Sequence, residues 1–307
     1  MANKFDLIVI GAGPSGATAA IYALREGLRV LLVDKEAVGG KLNVISSIQN
    51  YPTYSDISGQ ELSSRLLEQL KGLNVAFKLG EVRKVSKENM LFNVRIDKTS
   101  YSATAVIIAT GTRDNKIGVP GETDFLGAGV SYCSLCDGPF FRRKDVAVIG
   151  AGDRAYSEAY YLSSIANRVY IIQRSTKPRA DLLNINRIKS LNNVEILDNC
   201  ELVSINGTNK VSSVSYKNKT TGQITQLEVK GVFPLIGSSP NSEIISAFSG
   251  STTNGYVSVD GDLRTNTPGL FACGDVIAKS VRQIATSVGD GAIAGTMAAR
   301  FVKELRE

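Results

Sequence analysis

Two cysteines two residues apart, Cys133 and Cys136, followed at once by Asp137, are the residues of this 307-residue chain best suited to do chemistry. A Cys-x-x-Cys pair can close a small disulfide at a helix start, where free amides stabilise a thiolate. It can also be half of a zinc site. Zinc needs four ligands, but the chain has no histidine and its other two cysteines, Cys200 and Cys273, are isolated. The reading is therefore a redox dithiol, with two simply packed thiols as the alternative and no metal expected. A dithiol that reduces a partner disulfide also needs a proton carrier, because the departing thiolate must be protonated. With no histidine present, Asp137 is the nearest candidate, a helix-capping role being the alternative. The missing histidine also removes Ser-His-Asp and Cys-His hydrolases and His-ligated haem. Cys200 and Cys273 read as inert small hydrophobes.

The elements that must position such chemistry come from an internal repeat. Phe5 to Glu36 reads FDLIVIGAGPSGATAAIYALREGLRVLLVDKE, and Lys144 to Ser175 reads KDVAVIGAGDRAYSEAYYLSSIANRVYIIQRS. Gly11 and Gly13 recur as Gly150 and Gly152, and Gly16 as Ala155. Each copy is an apolar run of strand length, a Gly-rich turn, a helical stretch and a second apolar strand, which makes a βαβ unit with a buried parallel sheet. The first glycine allows the tight turn, and the second lets a pyrophosphate approach the backbone. The third position, Gly or Ala, permits close helix–strand packing. Amides at the helix start then hold phosphate charge. Two copies imply two dinucleotides.

The copies differ at the end of their second strand. Asp34 can accept hydrogen bonds from ribose hydroxyls, which suits FAD or NAD. Its counterpart is Gln173, followed by Arg174 with Lys177 and Arg179 nearby, which leans toward a 2′-phosphate and NADP. A solvated, purely structural strand end is the alternative. Arg154, beside the second turn, is a candidate phosphate contact.

Length suggests two domains. Turn-rich stretches from Gly111 to Cys133 and around Gly237–Asn241 bracket the second repeat and read as linkers. The expected fold class is α/β: two Rossmann-like dinucleotide-binding domains, the second inserted into the first, with boundaries at 1–114 plus 242–307 and at 115–241. The chain is 43% hydrophobic and 21% charged, as expected of a globular protein. Its net charge of +6 is dispersed, the densest cluster being Arg142-Arg143-Lys144. No basic stripe with stacking aromatics is present, so no nucleic-acid partner is expected. Nor is a membrane: the first apolar run is broken at Gly11, and no stretch of about 18 apolar residues occurs. A cytoplasmic location is the expectation.

The ordered set of motifs resembles the low-molecular-weight thioredoxin reductases of the bacterial and archaeal type, essentially end to end. It comprises Gly11-Ala12-Gly13-Pro14-Ser15-Gly16, Gly39-Gly40-Lys41-Leu42, Asn50-Tyr51-Pro52, Ala109-Thr110-Gly111, Cys133-Ser134-Leu135-Cys136-Asp137-Gly138, Gly150-Ala151-Gly152-Asp153-Arg154-Ala155, Gly274-Asp275 and Arg282-Gln283-Ile284-Ala285. A dithiol placed beside the second nucleotide repeat is specific to that family. The resemblance implies an enzyme passing electrons from NADPH through FAD and a Cys133–Cys136 disulfide to a thioredoxin-like protein. It further implies a homodimer, and an inserted domain that rotates between two arrangements.

On that resemblance the FAD contacts are Gly11, Gly13, Pro14, Ser15, Gly16, Asp34, Lys35, Gly40, Lys41, Leu42, Asn50, Thr110, Gly111, Gly274, Asp275, Arg282, Gln283 and Ile284. Asn50 and Gln283 are expected near the flavin ring, and Asp275 near the ribityl chain. The nicotinamide cofactor falls to Gly150, Gly152, Asp153, Arg154, Ala155, Arg174 and Arg179. Cys133 and Cys136 are catalytic, with Asp137 as acid/base. One departure bears on the donor. The family usually reads His-Arg-Arg where this chain reads Gln173-Arg174-Ser175, so NADH or another donor, such as a ferredoxin, stays open beside NADPH, as does an NAD(P)H oxidase.

Overall fold

After Asp6 the first strand, β1 (Lys4–Ile10), contains only apolar residues, and Leu7, Ile8 and Val9 are fully enclosed. An unbroken Leu/Ile/Val run is what a parallel strand covered on both faces requires. The computed structural model describes residues 3–45, 48, 50–248, 250, 252–253 and 255–306, without the side chains of Val44, Leu135 and Cys136. It divides into two units, Met1–Arg113 with Ser239–Glu307, and Asp114–Ser238.

In the first unit β1 leads through a Gly-rich turn into α1 (Pro14–Arg25), whose first residue is a proline with its φ preset for a helix. β2 (Val30–Asp34), α2 (Gly59–Gly72), β3 (Ala76–Leu79), β4 (Val82–Glu88), β5 (Leu91–Ile96) and β6 (Thr99–Ile108) follow. The sheet order is β3-β2-β1-β6-β5-β4, with β1 parallel to both β2 and β6. The long β6 uses its first half to pair antiparallel with β5. Its second half is left to a strand from the far end of the chain.

The second unit repeats the plan. After β7 (Thr112–Asp114) and the short helix α3 (Ser134–Asp137) come β8 (Asp145–Ile149), α4 (Asp153–Ser163), β9 (Arg168–Ile172), α5 (Leu182–Lys189) and β10 (Val194–Leu197). A meander follows, β11 (Cys200–Gly207), β12 (Val211–Asn218) and β13 (Ile224–Glu228), then β14 (Gly231–Pro234) and β15 (Ser238–Pro240). β10-β9-β8-β14 is an all-parallel sheet, and β11-β12-β13 an antiparallel one. One face of the parallel sheet packs on α4 and α5 through Val146, Val148 and Leu162. The other packs on the meander through Ala147, Ile149 and Val214.

The two crossings between units fall after Arg113 and after Ser238 rather than after 114 and 241. Asp114 is ion-paired to Arg154 of the inserted unit, whereas Asn241 exchanges hydrogen bonds with Thr110 and Gly111 of the first.

The first unit is completed by β16 (Thr252–Thr253) paired with β17 (Tyr256–Val257), by β18 (Leu270–Ala272) and by α6 (Ile284–Glu304). β18 pairs parallel with the second half of β6. α6 lies against α1 on small residues: a Cβ at Gly291 would stand 2.2 Å from the Ser15 carbonyl oxygen, and one at Gly295 2.4 Å from that of Ala19. This close approach brings the C-terminal segment onto the first Gly-rich turn. Gly291→Val should therefore lower stability by about 3 kcal/mol, because only a shift of backbone can make room. Thermal unfolding checks it, and an unchanged midpoint would show that the two helices can separate freely.

Candidate functional site

The first Gly-rich turn separates its glycines by job. Gly11 adopts φ +101°, and a Cβ there would lie 2.2 Å from the Ala109 carbonyl oxygen; one at Gly16 would lie 1.8 Å from that of Gly11. Both are demanded by the fold. Gly13 is not: its backbone is extended, at φ −67° and ψ −177°, and an added Cβ would meet only the Gly39 carbonyl oxygen, at 4.0 Å. The space is left for something other than protein.

The turn is braced from behind. Asp34 accepts the Ala12 amide at 2.7 Å and the Glu36 amide at 2.9 Å, which orients its carboxylate while leaving lone pairs on both oxygens. Lys35 is exposed and pairs with Glu36 at 3.6 Å. Gly39 donates its amide to the Ala12 carbonyl, and a Cβ at Gly40 would lie 3.3 Å from the Gly13 Cα. The Lys41 ammonium donates to the Thr112 hydroxyl at 3.3 Å, and Leu42 is buried in a small cluster with Ile48 and Ile57. Asn50 donates to the Gln283 side-chain carbonyl at 3.1 Å, a pair joined across most of the chain length. Thr110 and Gly111 are fastened to Asn241.

The C-terminal side of the same site joins the expected Gly274, Asp275, Arg282 and Ile284 to residues the sequence reading passed over, Tyr256, Lys279, Ser287 and Asp290. A Cβ at Gly274 would lie 2.3 Å from the Ser15 hydroxyl, so Asp275 is delivered right beside the turn. Ser287 donates to Asp275 at 3.2 Å, and Lys279 lies 3.9 Å from Asp275 and 2.7 Å from Asp290, which also accepts the Gly274 amide. Arg282 stacks on Tyr256 at 4.2 Å and donates to the carbonyls of Asp275 and Ile277, so its fork holds the 274–277 backbone. Ile284 is the first residue of α6 and packs with the Leu42 cluster. Burial pushes the Cys273 thiol up to about 12, against a weaker opposing hydrogen bond from Ser15, and the thiol stays inert at neutral pH.

In the second unit the separation recurs. Gly150 has φ +152°, and a Cβ would stand 2.4 Å from the Leu235 carbonyl oxygen. Ala155 is fully buried, and Gly152, with ordinary extended dihedrals, faces open space, nothing lying within 4 Å of an added Cβ. The loop after β9 folds back over this turn: the Arg179 amide donates to the Ala151 carbonyl at 2.7 Å, and Asp153 accepts the Asp181 amide at 2.5 Å. The guanidinium groups of Arg174 and Arg179 are exposed and have no hydrogen-bond or ion-pair partner among the described residues.

Two expectations change here. Gln173 does not face a ligand: it is 2% exposed, accepts from the Tyr156 hydroxyl at 2.9 Å and donates to Asp198 at 2.5 Å, so both ends of its amide are used. Arg154 is no free phosphate contact either. Its guanidinium is taken up by Glu158 at 2.7 Å, the Tyr132 carbonyl at 2.7 Å and Asp114.

Cys133 is disulfide-bonded, while Cys200 and Cys273 are free and buried. The Cys133 amide donates to the Ser131 hydroxyl at 3.0 Å, and Glu158 accepts both the amide and the hydroxyl of Ser134. The side chain of Cys136, expected to be the second catalytic thiol, lies outside the described residues. Asp137 is half-buried, and its carboxylate has no partner among the described residues. Phe140, just beyond the dithiol, is 72% exposed. It is another residue the sequence reading missed, although an aromatic pair beside a reactive motif is visible in the sequence. No cluster of three or more potential metal ligands exists among the described residues, and no helix is long and apolar enough to cross a membrane.

Among the described residues, a methyl at Gly152 therefore meets nothing, and one at Gly13 meets only the Gly39 carbonyl oxygen, at 4.0 Å. Gly152→Ala should change stability by less than about 1 kcal/mol yet weaken nicotinamide-nucleotide binding at least about tenfold. Calorimetric titration beside thermal unfolding measures both, and a variant that binds as wild type does would show that the space serves no ligand.

The chain is similar to known proteins along its whole length. The family model described as pyridine nucleotide-disulphide oxidoreductase matches residues 5–291. A thioredoxin reductase of Treponema pallidum is 39% identical over 307 residues, covering all of both chains. The crystal structure of Lactococcus lactis thioredoxin reductase superposes with a TM-score of 0.91 at 38% identity, over 98% of this chain and 99% of that one. That of T. acidophilum thioredoxin reductase gives 0.87 at 33% identity, over 99% and 100%. This chain belongs to the thioredoxin reductases, within the pyridine nucleotide-disulphide oxidoreductases.

Proposed function

We propose that this chain reduces the disulfide of a thioredoxin-like protein with electrons from NADPH, using FAD as its resident flavin and Cys133 with Cys136 as the last carrier. The observation that carries this reading is the disulfide at Cys133, held in a pinned segment near Asp137, whose carboxylate has no partner among the described residues.

The residues present fit both nucleotides. Nothing among the described residues crowds a Cβ at 13 or 152, and each glycine stands at a helix start whose amides would meet a bound pyrophosphate. FAD would be held by Gly13, Asp34, Gly40, Asn50, Asp275 and Gln283, with Lys279 and Arg282 fixing Asp275 from behind. When bound, it supplies the two-electron chemistry that links a nicotinamide to a disulfide. On the second unit, Gly152 and the amides opening α4 would hold the pyrophosphate. Arg174 and Arg179, whose guanidinium groups have no partner among the described residues, suit a 2′-phosphate, which is what separates NADPH from NADH.

The sulfur chemistry then follows from the chain's own groups. A thiolate of the reduced pair attacks one sulfur of the substrate disulfide; one S–S bond forms, one breaks, and the departing thiolate takes up a proton. Asp137 is the carboxylate free to hold and exchange that proton. The second thiol attacks the mixed disulfide, restores the Cys133–Cys136 bond and releases the substrate as a dithiol, two electrons having moved. Phe140, with Arg142 and Arg143 beside it, offers an exposed apolar and basic surface next to these sulfurs. A homodimer and a cytoplasmic site of action complete the reading, on family grounds.

Anaerobic titration of the yellow protein tests it: NADPH should bleach the flavin at concentrations at least about tenfold below NADH, and Arg174→Gln with Arg179→Gln should remove most of that preference, each phosphate contact being worth roughly 1.5–3 kcal/mol. Cys136→Ser should bleach equally well yet reduce no thioredoxin. A colourless protein, or equal response to both donors, would contradict the assignment.

A further inference from the structure

Arg154 stands where the sequence offers it to a phosphate, but each of its three guanidinium nitrogens is paired with the protein. Nε donates to Glu158 at 2.7 Å, Nη2 to the Tyr132 carbonyl at 2.7 Å, and Nη1 is paired with Asp114. All four residues belong to the inserted unit. Glu158 then uses its other oxygen on the dithiol helix, accepting the Ser134 hydroxyl at 2.7 Å and the Ser134 amide at 3.2 Å. Ser134 is fully buried and adjoins Cys133. The residue on the other side of Cys133 is held as firmly. Tyr132 gives its carbonyl to Arg154 and its hydroxyl to Glu122 at 2.6 Å, and Glu122, 2% exposed, also accepts the amides of Ile117 and Gly118. Burial first, and Glu122 second, hold the Tyr132 phenol far above its ordinary range, so it remains a donor.

We propose that Arg154 and Glu158 are a positioning pair for the redox disulfide: together they fix the backbone on both sides of Cys133 and set the local charge that decides how readily it is reduced. This rests on the reading of Cys133 as part of the redox centre. Reduction breaks one S–S bond and takes up two electrons and two protons, or one proton where one sulfur stays a thiolate. A negative charge nearby opposes that thiolate, and a positive one favours it. The charged groups gathered around the segment are Glu158, Asp114 and Glu122 against Arg154, with Asp137 on the dithiol helix itself. Arg154 is the cation hydrogen-bonded into this set. Removing it leaves Glu158 uncompensated, while neutralising Glu158 leaves Arg154 in excess, so the two changes act in opposite directions.

The test equilibrates the flavin-loaded protein with dithiothreitol buffers at pH 8, alkylates free thiols and reads the oxidised fraction by mass. Glu158→Gln, which keeps an acceptor for the Ser134 amide, should favour the reduced dithiol about tenfold relative to wild type. Arg154→Gln should disfavour it by a similar factor, and the double variant should return near wild type. A packing role alone would move both single variants the same way. Shifts of the same sign, or both below threefold, overturn the proposal. If Arg154→Gln does not fold, Glu158→Gln alone decides, and an unchanged constant overturns it. Neither NADPH nor thioredoxin takes part, so the two readings fail separately. A wild-type disulfide that never equilibrates with dithiothreitol sinks the redox reading, while equal constants in wild type and variants sink only the positioning.

Discussion

A parallel strand that ends at a ligand must reverse into a helix within a few residues while keeping side chains out of the ligand's way. Both units meet that constraint with the same device. At Gly11 and Gly150 a positive φ and a carbonyl within 2.4 Å of any Cβ make glycine obligatory for the turn itself. At Gly13 and Gly152 the backbone is ordinary and nothing among the described residues comes closer than 4.0 Å to an added Cβ, so the turn itself does not require glycine there. The rest of the molecule is arranged around these two gaps. Asp34 ties down the first turn, the loop through Arg179 and Asp181 ties down the second, and the α1–α6 contact brings Asp275 to the first from the opposite end of the chain.

That last contact explains a feature of α6 that composition alone leaves obscure. Its glycines are costly to helix propensity, by about 1 kcal/mol each relative to alanine. Gly291 and Gly295 are four residues apart, hence on one face, and they let the helix backbone touch that of α1. The helix gives up local stability for proximity, and with proximity comes the Gly274–Ser15 junction that sets Asp275 in place.

The repeat, the glycines and the strand order of each βαβ unit were legible from the sequence, because backbone rules act over a few residues. So was the difference between Asp34 and its counterpart as a matter of charge. The direction of side chains was not. Gln173 points inward because β10 runs beside β9 and carries the chain on to Asp198, 25 residues away in sequence, while Tyr156 on α4 reaches it from the other side. Arg154 turns from the nucleotide turn toward Glu158, Asp114 and Tyr132 for the same kind of reason: three acceptors from separate segments converge on it. Lys279, Asp290 and Ser287 form a cluster whose members lack any motif, and only the packing of α6 assembles them.

A chain with no histidine must handle protons with other groups, and the carboxylates near the dithiol are not equivalent for that purpose. Glu122 accepts three hydrogen bonds, two of them from backbone amides, and protonating it would cost the fold those contacts. Glu158 is committed to Ser134 and Arg154 in the same way. Asp137 differs from both in having no donor to its carboxylate among the described residues. The difference among these acids, two that hold the segment and one left uncommitted among the described residues, follows from where their donors are.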